Sequence, residues 1–222
     1  MRRFARLTSA LSTFLSLCVV GFIPLLLPTP PQDDARNNWF IDPAGKTGAI
    51  SRFTTEADLV KLYGAKNVKQ GDMDLGEGFT EPATFLFQDD PLSKIAISWK
   101  DKEKKAYPAR VQIDGQRSGW NTYGRVTLGT SLKELEKLNG GAFELFGFEW
   151  DYSGTVASWE KGKLEEFFHQ KGNVVLRLSP SENTAVQAPE YESVLGDGTF
   201  PSTNPAMQKL NPRVYQIIWI FE

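Results

Sequence analysis

Three patterns of apolar residues divide the chain. The first is an apolar run over residues 11–27, interrupted by Pro24 and closed by Pro28, inside a stretch without charge from Leu7 to Gln32. The second is a helical spacing that occurs twice, 76 residues apart, as Leu59 with Leu62 and as Leu132 with Leu135 and Leu138. The third is period-two alternation, which predicts strands over 94–100, 109–113, 154–160, 164–169 and 174–179. The last segment, 214–221, is apolar on both faces and predicts a strand in the middle of a sheet.

The two helical segments carry matching punctuation. Thr55 with Asp58, and Ser131 with Glu134, have the hydroxyl-x-x-acid spacing of a capping box. Gly64 and Gly140 stand where a left-handed C-terminal cap belongs. A Ser-Trp pair then follows in each half, at Trp99 and Trp159, and points to a shared core role. Lys171-Gly172-Asn173 reads as a hairpin turn, and Asp197-Gly198 as another turn. Asn204-Pro205 starts a short helix inside an otherwise polar stretch. These elements predict an α+β fold: two tandem helix-plus-antiparallel-sheet units, at 40–115 and 116–222, with the short helices packed on one side.

The N-terminal run has the layout of an export signal, because Arg2, Arg3 and Arg6 precede it. Residues 1–31 are therefore a signal peptide or a membrane anchor, and 32–39 a tether. The 17 residues 11–27 would span roughly 25 Å as a helix, near the lower limit for a bilayer. Cleavage, retention through residues 7–27, and lipidation at Cys18 all stay open. Leu17 breaks the lipoprotein box, which wants a small residue before the cysteine. The expected place is the periplasm or cell envelope, with the membrane touched only through this segment.

Composition narrows the chemistry. The 222 residues carry 25 Lys and Arg, 27 Asp and Glu, one His and one Cys. Setting aside Arg2, Arg3 and Arg6 leaves 22 cations against 27 acids, so no basic footprint for nucleic acid exists. One His and one Cys cannot build a His/Cys zinc site or an internal disulfide, and no cofactor is expected.

The run Leu128-Gly-Thr-Ser-Leu-Lys-Glu-Leu135, with Gly140 and the Glu149-Trp-Asp-Tyr152 segment, resembles the outer-membrane assembly lipoprotein family called BamE or SmpA. The family's Gly-Met-Thr helix start lacks its Met here, since Thr130 follows Gly129 directly. The tandem of capped helix and hairpin sheet is similar to the β-lactamase-inhibitor-protein fold. Residues 39–222 also resemble exported bacterial proteins of unassigned function, through the 129–140 and 147–154 runs. These resemblances imply an αβ fold and bring no activity with them.

Residue by residue, the candidates read as follows. His169, the one imidazole, has no nucleophile that the sequence places beside it, and reads as an ordinary strand histidine. Glu149 and Asp151 alternate with Phe148, Trp150 and Tyr152. That pattern reads as a strand with its aromatics inward and its acids in water. Glu149, Asp151 and Glu165 are also the acids a glycan hydrolase would use. Asp72 and Asp74 lack the ligand run of a calcium loop, and Gly76-Glu-Gly78 precedes no helix. Trp120 and Tyr123, in a polar, glycine-bearing junction, are expected as exposed anchors for a partner, together with Trp150 and Tyr152. The expected function is a non-catalytic exported module that binds another envelope or secreted protein. The alternatives are a cell-wall or glycan hydrolase and a structural envelope component.

Overall fold

The computed structural model describes residues 39–42, 49–76, 78–122, 125–170, 173–180 and 189–221. The segment expected to direct export, all of the expected tether except Trp39, Tyr123 and the residues Lys171 and Gly172 of the expected turn lie outside the described residues, as does the side chain of His169. The elements run β1 (Ile41–Asp42), β2 (Ile50–Ser51), α1 (Glu56–Tyr63), β3 (Val68–Gly76), β4 (Phe79–Leu86), β5 (Ile95–Asp101) and β6 (Ala106–Asp114). They continue as α2 (Leu132–Asn139), β7 (Glu144–Phe146), β8 (Val156–Ser158), α3 (Lys163–Glu165), β9 (Asn173–Ser179), α4 (Pro189–Glu192), β10 (Thr199–Pro201), α5 (Pro205–Leu210) and β11 (Arg213–Ile220). The fold class is α+β.

Both capping boxes form. The Thr55 hydroxyl accepts from the Asp58 amide at 3.1 Å, and Asp58 accepts from the Thr55 amide at 3.0 Å. The Ser131 hydroxyl and Glu134 do the same, with the Ser131 amide 2.8 Å from the carboxylate. Gly140 closes α2 in the left-handed conformation, whereas Gly64 leaves α1 at φ 84° and ψ 144°, outside that region. The Asn204 side chain caps α5 at Ala206, with Pro205 in the first helical position.

The strands assort differently from the helices. An antiparallel six-stranded sheet has the order β3-β4-β5-β6-β11-β9. Its first four strands come from the first half of the chain and its last two from the second. The C-terminal strand β11 lies between β6 and β9, with Ile217 opposite both Ile113 and Leu176. It is a central strand, as its two apolar faces require. The second half also supplies a separate antiparallel sheet, β10-β7-β8. The two halves therefore do not carry one sheet each.

One face of the large sheet, carrying Ile97, Val111, Ile217 and Trp219, joins Leu59 and Tyr63 of α1 and Leu132 and Leu135 of α2 in a single core. Trp99 and Trp159 both belong to it. The Trp99 indole donates to the Thr84 hydroxyl on the neighbouring strand, while Trp159 stacks on Phe168 at 5.2 Å. The opposite sheet face holds a small cluster of Met73, Ala83, Phe85 and Ala96.

One predicted strand is replaced by helix. Residues 164–169 fall in α3 and in a wide helical turn over Glu166–Gln170. Leu164 and Phe168, four apart, are both fully buried. Their spacing is that of a helical face, and it overrides the local alternation of Glu165, Phe167 and His169. The Leu164 amide donates to the Asn139 side chain at 3.2 Å, which ties this turn to the end of α2.

Candidate functional site

The clearest presented surface is the loop between β7 and β8. Its neck is closed by the Gly154 amide donating to the Gly147 carbonyl at 3.0 Å. Both glycines are sterically required. A Cβ on Gly147 would lie 2.5 Å from the Gly196 carbonyl oxygen and 2.7 Å from that of Val194. Gly154 has φ +63°, and a Cβ there would collide with the Leu178 carbonyl. Two further backbone bonds hold the loop to the chain around it: the Phe148 amide to Val194 at 3.0 Å and the Leu178 amide to Gly154 at 2.9 Å.

Within this frame the side chains sort by direction. Phe148 points inward, fully buried, and stacks on Tyr191 at 5.7 Å. The Tyr191 hydroxyl donates to Glu149 at 2.9 Å. Desolvation first, and then the bond to and charge of Glu149, push that hydroxyl up to about 12. Glu149 itself sits at φ +70°, and its amide donates to the Ser153 hydroxyl at 3.1 Å. Trp150 and Tyr152 turn outward and are 59% and 58% exposed. Tyr152 rests against Phe146 at 5.2 Å, so one face of its ring is supported by the sheet.

This geometry corrects the expected strand. Phe148 makes a single bridge to Leu195 and residues 149–154 bend and turn away from it, and the outward pair is aromatic while the inward residue is Phe148. The two glycines at the neck break the strand alternation, so period two no longer assigns faces.

Trp120 is the second correction. It was expected as an exposed anchor and is fully buried. Its indole donates to the Ser93 carbonyl at 2.8 Å, and its ring meets Trp39 edge-on at 4.9 Å. Its own carbonyl accepts from the Thr127 hydroxyl at 2.8 Å. The Ser118 hydroxyl caps the Trp120 amide, and the main-chain amide of Asn121 donates to the Trp39 carbonyl. The structure therefore brings Trp150 and Tyr152 together and places Trp120 elsewhere.

The acids have no shared cleft. Glu149 and Asp151 lie on the loop, Glu165 in α3, and none lines the large cleft of about 950 Å³. Among the described residues no group of three or more His, Cys, Asp and Glu is arranged to hold a metal ion. No helix among them is long and apolar enough to cross a membrane.

Sequence reasoning missed that large cleft. It is lined by Arg117 and Arg125 of the β6–α2 connection, Lys137 of α2 and Arg213 of β11. They are spread over almost 100 residues and share no motif, so only the pairing of β11 with β6 brings them together. A comparison with known families, curated proteins and solved structures finds no match for this chain.

Proposed function

We propose that the protein is a non-catalytic, exported binding module that engages another protein of the cell envelope through Trp150 and Tyr152. The observation that carries this reading is the pair of large aromatic side chains, both more than half exposed, on a loop with a locked neck. Aromatic residues dominate protein-binding hot spots, and a contact held rigid before binding loses little conformational entropy when it binds. Glu149 precedes the pair and Asp151 lies between its two members, and both acids supply a polar rim. Export rests on Arg2, Arg3 and Arg6 followed by the uncharged, largely apolar segment.

The two helices with equivalent capping boxes support reading the chain as two tandem αβ units whose strands have merged into a shared sheet.

The test compares the full chain with Trp150→Ala/Tyr152→Ala in cross-linking to envelope proteins. The reading expects the partner to be lost from the double variant while the thermal melt stays in place. Unchanged cross-linking would sink it. Glycan cleavage that disappears in Glu149→Gln with the fold intact would move the protein to the hydrolase class.

A further inference from the structure

The cleft of about 950 Å³ lies at the upper end of the size range for small-molecule sites. Its charge is one-sided: Arg117, Arg125, Lys137 and Arg213 line it, and Glu134 is its one carboxylate. Glu134 is already committed, accepting from the Ser131 amide at 2.8 Å and the Ser131 hydroxyl at 2.7 Å. Arg213 uses one guanidinium nitrogen on the Gly129 carbonyl at 2.7 Å and keeps its other donors. Arg117 and Arg125 are exposed, and their guanidinium groups make no hydrogen bond or ion pair among the described residues. Beyond the export segment acids outnumber cations, so four cations around one concavity form a local reversal of the field.

The walls are also held in place. The Gly115 amide donates to the Tyr215 carbonyl at 2.9 Å, which fixes the loop that carries Arg117. The Gly129 amide donates to Val214 at 2.8 Å, and the Val214 amide to Thr130 at 2.9 Å. The hydroxyl-bearing residues Thr127 and Ser179 also line the cleft.

We propose that this cleft binds a small organic ligand carrying two or more oxyanionic groups, phosphate or carboxylate. Guanidinium groups match the planar, bidentate geometry of these anions. Four cations from three segments call for more than one anionic group, because a single one engages only part of the ring. The site is independent of the aromatic loop, whose residues do not line it.

The test titrates the full chain, by calorimetry at fixed ionic strength, with two series of probes. One is orthophosphate and pyrophosphate; the other is succinate and citrate. Saturable binding in either series, stronger for the multiply charged member, supports the site and names its anion. Arg117→Ala/Arg125→Ala changes two exposed side chains and should weaken that binding by about tenfold or more, with the melt unmoved. Lys137→Ala, on the exposed face of α2, gives a second variant with the same expected direction. Absence of saturation by about 10 mM in both series, or equal binding by wild type and the double arginine variant, overturns the proposal. Trp150→Ala should leave anion binding unchanged, which separates this test from that of the aromatic loop.

Discussion

Trp120 and Trp150 stand in segments of similar composition, each polar and each with a glycine close by, yet one is sealed in the core and the other faces solvent. The difference lies in what the neighbouring backbone does. At Trp120 the chain runs alongside Trp39 and the 90–93 turn, and hydrogen bonds from Gly119 to Leu92 and from Asn121 to Trp39 draw the indole inward. At Trp150 the neck between Gly147 and Gly154 turns the chain away from the sheet, and the buried place is taken by Phe148. Polar neighbours therefore mark a turn in both segments, but they do not say which side of the turn the aromatic ring occupies.

The strongest break of this comparison is Trp120→Ala. Removing a fully buried tryptophan that also donates to a buried carbonyl should cost about 3–5 kcal/mol, seen in denaturant melts as a large loss of midpoint. A loss under about 1 kcal/mol would place Trp120 with the surface aromatics instead.

Next in size is Gly154→Ala. A Cβ there meets the Leu178 carbonyl and sits on a residue with φ +63°, so overpacking and left-handed strain add. The expected cost is about 2–4 kcal/mol, and the neck should open, with Trp150 fluorescence becoming more mobile in anisotropy decay. An unchanged melt would show that the neck is not what holds the loop.

The elements legible in sequence were those written in local chemistry. Both capping boxes, the Asn204-Pro205 helix start and the central position of β11 follow from spacing and from residue type, and each is found. What local chemistry does not encode is pairing across long separations. β9 and β11 join the sheet of the first half through contacts such as Ile217 with Ile113, and no local pattern states that partner. The same holds for the cationic cleft, which exists only once those strands have paired. The helical turn at 164–168 was hidden for another reason: a four-residue spacing of buried groups overlapped a period-two alternation, and tertiary packing on Trp159 decided between them. Of the three described aromatic residues expected at a binding surface, Trp150 and Tyr152 are exposed and Trp120 is not, but for a reason opposite to the strand alternation that drew attention to the exposed pair.

A smaller effect comes from the support beneath the loop. Tyr191→Phe keeps the stack on Phe148 and removes the hydroxyl bond to Glu149, for a cost of about 1 kcal/mol. The variant also changes the alkaline side of the stability profile. The folded hydroxyl is raised from 10.0 to about 12, so its contribution is complete below pH 10 and is lost as pH rises through 12. The Tyr63 hydroxyl, buried without a hydrogen-bond partner among the described residues, is shifted in the same direction by desolvation, so Tyr191→Phe should flatten this fall only in part. An alkaline profile identical to that of wild type would mean that Tyr191 is solvated and does not brace the loop.

The smallest effect on stability should come from Trp150→Ala, and it sharpens the comparison most. A side chain 59% exposed leaves no cavity when removed, so the melt should move by no more than about 0.5 kcal/mol. The fluorescence, in contrast, should change in a specific way. Trp99, Trp120, Trp159 and Trp219 are all buried, and Trp39 is partly buried against the core. Trp150 must then supply most of the emission that acrylamide reaches, and Trp150→Ala should remove that readily quenched component while the blue-shifted, protected emission remains. If quenching is the same with and without Trp150, the ring is covered in solution, by a second copy of the chain or by another segment. The loop would then be an occupied surface rather than a free one, and a concentration series of the same quenching experiment tells these two covers apart.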